Sequence, residues 1–71
     1  MSKTITNSTN IYSSILKNYP DILNIDQLCT ILDISHKTAY FLLRTNTIES
    51  VKVGRAYRIP KINIMNYLNI F

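Results

Sequence analysis

Residues 23–46 read LNIDQLCTILDISHKTAYFLLRTN, and this stretch contains two short helical patterns separated by a turn. Apolar residues recur at i, i+3, i+4 and i+7 from Ile25, which is the spacing of one face of a helix. Asn24 precedes this pattern as a suitable N-cap, and Gln27 occupies the position from which a side chain completes a capping box. The first pattern therefore predicts a short amphipathic helix.

The second pattern begins after Asp33, a residue suited to a tight turn. Ser35 is a suitable N-cap for a helix over residues 36–45, and Asn46 can adopt the left-handed conformation that ends it. Small Ala39 lies on the predicted core side of this helix, where it would let the two helices approach closely. Two short helices joined by such a turn form a helix-turn-helix.

A β-hairpin, or wing, is predicted from SVKV at 50–53 and AYRI at 56–59. The single glycine, Gly54, opens a connection of three residues, 54–56, and can adopt the positive φ that a tight reversal needs. Alternation along the strands then separates inward from outward side chains. The predicted inward set is Val51, Val53, Tyr57 and Ile59, and the predicted outward set is Lys52 and Arg58.

Flanking helices are predicted on both sides of this unit. Before it, Ile11, Ile15 and Tyr19 form a helical stripe after an N-cap at Asn10, and polar residues 1–9 are expected to be loose. After Pro60, a terminal helix places Ile64, Leu68 and Phe71 on one side. We therefore divide the chain into an N-terminal tail with a short helix, residues 1–20, and a winged helix-turn-helix domain, residues 21–71. The predicted fold class is α+β and mainly α.

Positive charge is concentrated in the second half of the chain. Six of the eight Lys and Arg residues lie in residues 34–71, where Glu49 is the single carboxylate. This bias favours a polyanionic partner, and double-stranded DNA suits a helix-turn-helix with a wing. A solvated surface is the alternative for these charges. The candidate DNA-binding residues are Ser35, His36, Lys37, Thr38, Tyr40, Phe41, Arg44, Lys52, Arg55 and Arg58.

Two of these candidates have specific expectations attached. Phe41 either packs under the hairpin, which we prefer, or contacts a thymine methyl group. Arg55 at the wing tip is expected to reach a neighbouring minor groove or the phosphates, because its fork of donors suits both.

Catalysis and metal binding are not expected. Cys29 and His36 are the only cysteine and histidine, too few for a tetrahedral zinc site. The chain shows no carboxylate pair on a common face, no Gly-rich phosphate loop and no nucleophile with a base. We therefore predict a protein without catalytic residues, metal or cofactor.

The expected compartment is the cytoplasm. The lone cysteine allows no intrachain disulfide, and the N-terminus lacks the apolar run of a signal peptide. No stretch approaches the roughly 20 apolar residues of a membrane span, so no membrane partner is expected. We expect a monomer in solution that lines up cooperatively on DNA.

Residues 23–68 resemble the small winged helix-turn-helix domains of the excisionase type, relatives of the MerR DNA-binding domain. The similarity is carried by Leu23-Asn24-Ile25, Asp33-Ile34-Ser35, Thr38-Ala39-Tyr40, Val53-Gly54 and Tyr57-Arg58-Ile59-Pro60. The resemblance implies DNA contacts from the second helix and the wing. Two positions depart from the family pattern: Phe41 replaces a common basic residue, and Arg55 is displaced by one position.

We consider three functions, of which the first two are implied by the resemblance. The first is an accessory factor of a mobile genetic element, an excisionase that binds repeated sites and bends DNA for an integrase or recombinase. The second is a small transcriptional regulator with the same fold. The third is a protein-interaction module that docks through the stripe of Ile11, Ile15 and Tyr19.

Overall fold

The computed structural model describes residues 11–69 and confirms the predicted α+β, mainly helical, winged helix-turn-helix. The predictions for residues 1–9, Asn10 and Phe71 lie outside the described residues. In chain order the elements are α1 (11–16), β1 (Ile22–Leu23), α2 (Ile25–Leu32), α3 (His36–Arg44), β2 (Val51–Val53), β3 (Ala56–Pro60) and α4 (Lys61–Leu68).

The predicted boundaries of α2 are confirmed by its caps. The Asn24 side chain accepts a hydrogen bond from the Gln27 amide at 2.8 Å, and the Gln27 side chain accepts one from the Asn24 amide at 2.9 Å. These reciprocal bonds satisfy amides that would otherwise lack partners at the start of α2. Helix α2 ends at Asp33 in the left-handed conformation, with φ of 55°. Local signals in the sequence therefore define both ends of α2.

The core lies where α2, α3, the sheet and α4 meet. Ala39 is fully buried, so α2 and α3 approach closely as predicted. The buried residues come from all four described helices, from β1 and β3 and from the loop after α3. They are Leu16, Leu23, Leu28, Cys29, Ile31, Ala39, Leu43, Ile48, Ile59 and Ile64. Burying one such aliphatic side chain stabilises the fold by about 1.5–3 kcal/mol.

The three strands form one antiparallel sheet in the order β1-β3-β2. Residues opposite one another share a face of the sheet. The inner face carries Leu23, Lys52, Tyr57 and Ile59, and the outer face carries Ile22, Val51, Val53, Ala56, Arg58 and Pro60.

The predicted inward orientation of Val51 and Val53 is wrong. These side chains are 59% and 58% exposed, and Lys52 lies on the inner face opposite Tyr57. The cause is the length of the connection: Val53 pairs with Ala56, so the loop has two residues, Gly54 and Arg55, rather than three. Because side chains alternate along a strand, a shift of one residue moves every side chain of β2 to the other face.

Helix α1 is held to the rest of the fold by Lys61. The Lys61 ammonium donates hydrogen bonds to the carbonyls of Leu16 and Tyr19, both at 3.0 Å. The predicted stripe from Ile11 is wrong in part, since Ile11 is 58% exposed and Tyr12 packs against the core together with Leu16. A lysine that belongs to the basic half of the chain therefore has a structural partner in the N-terminal segment.

Candidate nucleic-acid interface

Helix α3 presents a polar and cationic face on the side opposite its core residues. Lys37, Phe41 and Arg44 follow at i, i+4 and i+7 and are all exposed. The preferred packing of Phe41 under the hairpin is wrong, because its side chain is 53% exposed. Contact with a thymine methyl group stays a prediction.

The first turn of α3 is tightly organised. The Ser35 hydroxyl oxygen accepts a hydrogen bond from the Thr38 amide at 3.2 Å and donates one to the Thr38 hydroxyl at 3.1 Å. Next to this cap, His36 Nε2 lies 2.6 Å from Asp26 Oδ1 of α2. The candidate residues at the start of the helix are therefore oriented before any ligand binds.

The wing is joined to α3 by an aromatic contact. The rings of Tyr40 and Tyr57 have centroids 5.9 Å apart and planes inclined at 58°. The Lys52 ammonium lies 5.2 Å from the centroid of the Tyr57 ring, within the range of a cation–π interaction. The inner face of the wing thus carries a cation beside the exposed surface of α3.

The tip of the wing is a two-residue turn at Gly54 and Arg55. Gly54 has φ of 63°, whereas Arg55 is not among the residues of positive φ. Glycine at the first position is typical of a type II′ turn, which matches the twist of the flanking strands. The turn leaves the Arg55 side chain exposed at the end of the hairpin.

The two predicted strand cations lie on opposite faces of the wing. Lys52 is on the inner face with Tyr57, which contacts α3, whereas Arg58 is on the outer face opposite Val51. The outer face turns away from α3. The structure therefore brings nine of the ten candidates, those other than Arg58, to α3 and to the inner face and tip of the wing.

Asp26 and Tyr57 were not among the candidate residues, yet both organise this surface. Asp26 contacts His36, and Tyr57 connects Lys52 to Tyr40. The aromatic content of the wing strand was a usable signal for Tyr57. Sequence spacing offered none for Asp26, because ten residues and a turn separate it from His36.

Potential metal-ligating side chains are few and scattered in the part of the chain that the structure describes. Across residues 11–69, no group of three His, Cys, Asp or Glu side chains could hold a metal ion. Burial raises the pKa of the Cys29 thiol, with a smaller contribution from the nearby Asp26 charge. The thiol therefore stays protonated and packs as an apolar side chain. In the same segment, no helix combines the length and apolarity needed to cross a membrane.

Comparison with known proteins identifies the family. A family model described as a helix-turn-helix domain matches residues 22–69. Neither the curated proteins nor the solved structures include a significant match. The match extends from β1 to the end of α4 and covers more than half of the chain. It supports sequence-specific DNA binding, and the matched family is typically non-enzymatic. The chain therefore belongs to this helix-turn-helix domain family.

Proposed function

We propose that this chain binds double-stranded DNA with α3 in the major groove and the wing on an adjacent groove or its phosphates. The observation that carries this arrangement is the Tyr40–Tyr57 contact, which fixes the wing beside α3. A recognition helix reads base edges with its first turns while its flanks touch phosphates. His36 and Lys37 lie in the first turn, where specific contacts are expected.

Three cations are positioned for phosphate contacts in this arrangement: Arg44, Lys52 and Arg55. If each neutralises one phosphate, log K falls with log salt with a slope of about −2.7, at roughly 0.9 per phosphate. Lys61 is excluded from this count because its ammonium is bonded to two backbone carbonyls. The test is a salt titration of binding to a short duplex of random sequence.

Matched variants separate the two kinds of contact. Arg55→Ala should weaken binding to all duplexes alike and flatten the salt slope by about 0.9. His36→Ala should instead change which sequence is preferred while the slope stays near its original value. Binding that does not depend on salt, or no binding to duplex DNA, would contradict the proposal.

The finer role we propose is that of an excisionase, a small accessory factor of a mobile genetic element. It is supported by the resemblance of residues 23–68 to excisionase-type domains, and such a factor binds repeated sites and bends DNA for an integrase. The assay is excision by a purified integrase from the same element, with and without this protein. A small transcriptional regulator would leave excision unchanged and alter expression from a promoter next to its site.

Docking of a partner protein is a second candidate function, favoured by the outer face of the sheet. Ile22, Val51 and Val53 are exposed there, and Ile22 adjoins a shallow groove that Ile62 and Met65 also line. Exposed apolar side chains gathered on one face are typical of protein-binding surfaces. The Val51→Ser/Val53→Ser double variant should lose binding to the purified integrase and retain duplex binding. Retained integrase binding would argue against docking at this face.

A further inference from the structure

The contact between Asp26 and His36 spans the turn between α2 and α3. His36 Nε2 lies 2.6 Å from Asp26 Oδ1, and the two side chains are 60% and 78% exposed. Contacts between side chains as exposed as these contribute only about 0–1 kcal/mol to stability. Stability alone therefore gives little reason for this contact, which lies at the first residue of the proposed recognition helix.

The donor and acceptor in this contact follow from the chemistry of the two groups. An ionised carboxylate only accepts hydrogen bonds, so Nε2 of His36 carries the hydrogen. In a neutral imidazole the other nitrogen, Nδ1, is then an acceptor. Among the described residues, the His36 ring has no second hydrogen-bond partner. The Asp26 carboxylate thus fixes the orientation of the His36 ring and makes its free nitrogen, Nδ1, a hydrogen-bond acceptor.

We propose that Asp26 is a positioning residue for sequence recognition: it fixes His36 so that Nδ1 accepts a hydrogen bond from a base amino group. In the major groove only adenine N6 and cytosine N4 donate, whereas guanine and thymine present acceptors. His36 should therefore prefer adenine or cytosine over guanine or thymine at one position of the site. This inference rests on the proposed function, because it assumes that α3 lies in the major groove.

The first test examines the free protein and needs no DNA. His36 is the only histidine, so its ring resonances are unambiguous in long-range ¹H–¹⁵N correlation spectra. Recorded at about pH 8, the spectra report which nitrogen holds the hydrogen. We expect hydrogen on Nε2 in the wild type. In Asp26→Asn the two nitrogen shifts should move towards each other, because an amide both donates and accepts. Hydrogen on Nδ1 in the wild type, or identical shifts in both proteins, would overturn the proposal.

The second test measures base preference by selection from a randomised duplex library at the same pH. The wild type should favour adenine or cytosine at one position by about 3- to 10-fold, the range expected for a single hydrogen bond. Asp26→Asn should reduce that preference to less than about 2-fold and leave the other positions unchanged. An unchanged preference, or an equal loss at every position, would overturn the proposal.

Asp33→Asn is the matched control for both measurements. It removes the same charge, and Asp33 has φ of 55°, a conformation that asparagine tolerates. This variant should keep both the wild-type ring shifts and the wild-type base preference. If no duplex is selected, the proposed function fails and the base preference with it. The spectra of the free protein would still show whether Asp26 fixes the ring.

Discussion

Tyr40 of α3 and Tyr57 of β3 connect the recognition helix to the wing through rings whose centroids lie 5.9 Å apart. Tilted aromatic pairs at this distance contribute about 0.5–1.5 kcal/mol beyond the burial of their surface. The pair also determines where Lys52 lies, because its ammonium is placed over the Tyr57 ring. One contact thus links the stability of the wing to the position of a charge on the proposed DNA-binding surface.

A double-mutant cycle tests this link. Tyr40→Ala and Tyr57→Ala should each lower the free energy of unfolding, and together they should lose less than the sum of the two. We expect a coupling energy of about 0.5–1.5 kcal/mol from denaturant titrations. Tyr57→Phe retains the ring and serves as the control. Additive losses would show that the rings do not support one another.

The two strand cations of the wing should differ in their effect on DNA binding. Lys52 lies on the inner face beside α3, and Arg58 lies on the outer face. Lys52→Ala should flatten the salt dependence of duplex affinity by about 0.9, the contribution of one phosphate. Arg58→Ala, a change of equal charge, should leave the slope unaltered. Equal effects of both variants would mean that the wing meets DNA in another orientation.

We expect Lys61 to contribute to the stability of the fold and to contribute little to DNA binding. Its side chain is 20% exposed and its ammonium is bonded to the carbonyls of Leu16 and Tyr19. Lys61→Met retains much of the apolar stem and removes these charged hydrogen bonds, so the free energy of unfolding should fall by about 1.5–3 kcal/mol. Lys52→Met is the matched control and should show the opposite pattern, with a flatter salt slope and little loss of stability. An unchanged free energy of unfolding in Lys61→Met would contradict the structural role of Lys61.

Gly54 should be required for its backbone conformation and not for its size. A Cβ at this position would meet no atom within 4 Å, yet φ is 63°. Gly54→Ala should therefore destabilise the protein by about 1–2 kcal/mol through strain alone. Gly54→Asn should cost less, since asparagine tolerates a positive φ in primed turns better than alanine does. Equal losses of stability in the thermal unfolding curves of the two variants would show that the positive φ of Gly54 is not the cause.

The Cys29 thiol should make stability fall at alkaline pH. Burial raises the pKa of this thiol above its ordinary value in the folded protein. Above that ordinary value the unfolded chain has released the proton and the folded chain still holds it, so the free energy of unfolding decreases as pH rises. Cys29→Ala should remove this part of the alkaline decline, as measured by denaturant titration at several pH values. An identical decline in both proteins would exclude the thiol as its source.

Local signals in the sequence predicted the helix-turn-helix well. Asn24, Gln27, Asp33 and Ser35 act through hydrogen bonds and backbone conformations that span a few residues, and all four behave as predicted. The sidedness of β2 was not predictable in the same way. It depends on whether Ala56 belongs to the loop or to the strand, and a single residue reverses the result.

The errors elsewhere arise from contacts between distant segments. Ile48 is buried in the core although it follows α3 in an irregular loop with no periodic pattern. Lys61 was counted among the cations that favour a polyanionic partner, since nothing in its neighbourhood indicates a partner 42 residues away at Tyr19. The Asp26–His36 contact likewise depends on how α2 and α3 cross.

Amide chemical-shift changes on addition of duplex DNA test the central claim most directly, because they report α3 and the wing in one experiment. The account predicts that the largest changes occur together in the first turns of α3, around His36 and Lys37, and at Gly54 and Arg55. Changes confined to one of these elements, or centred on Ile22 of the outer face, would contradict it.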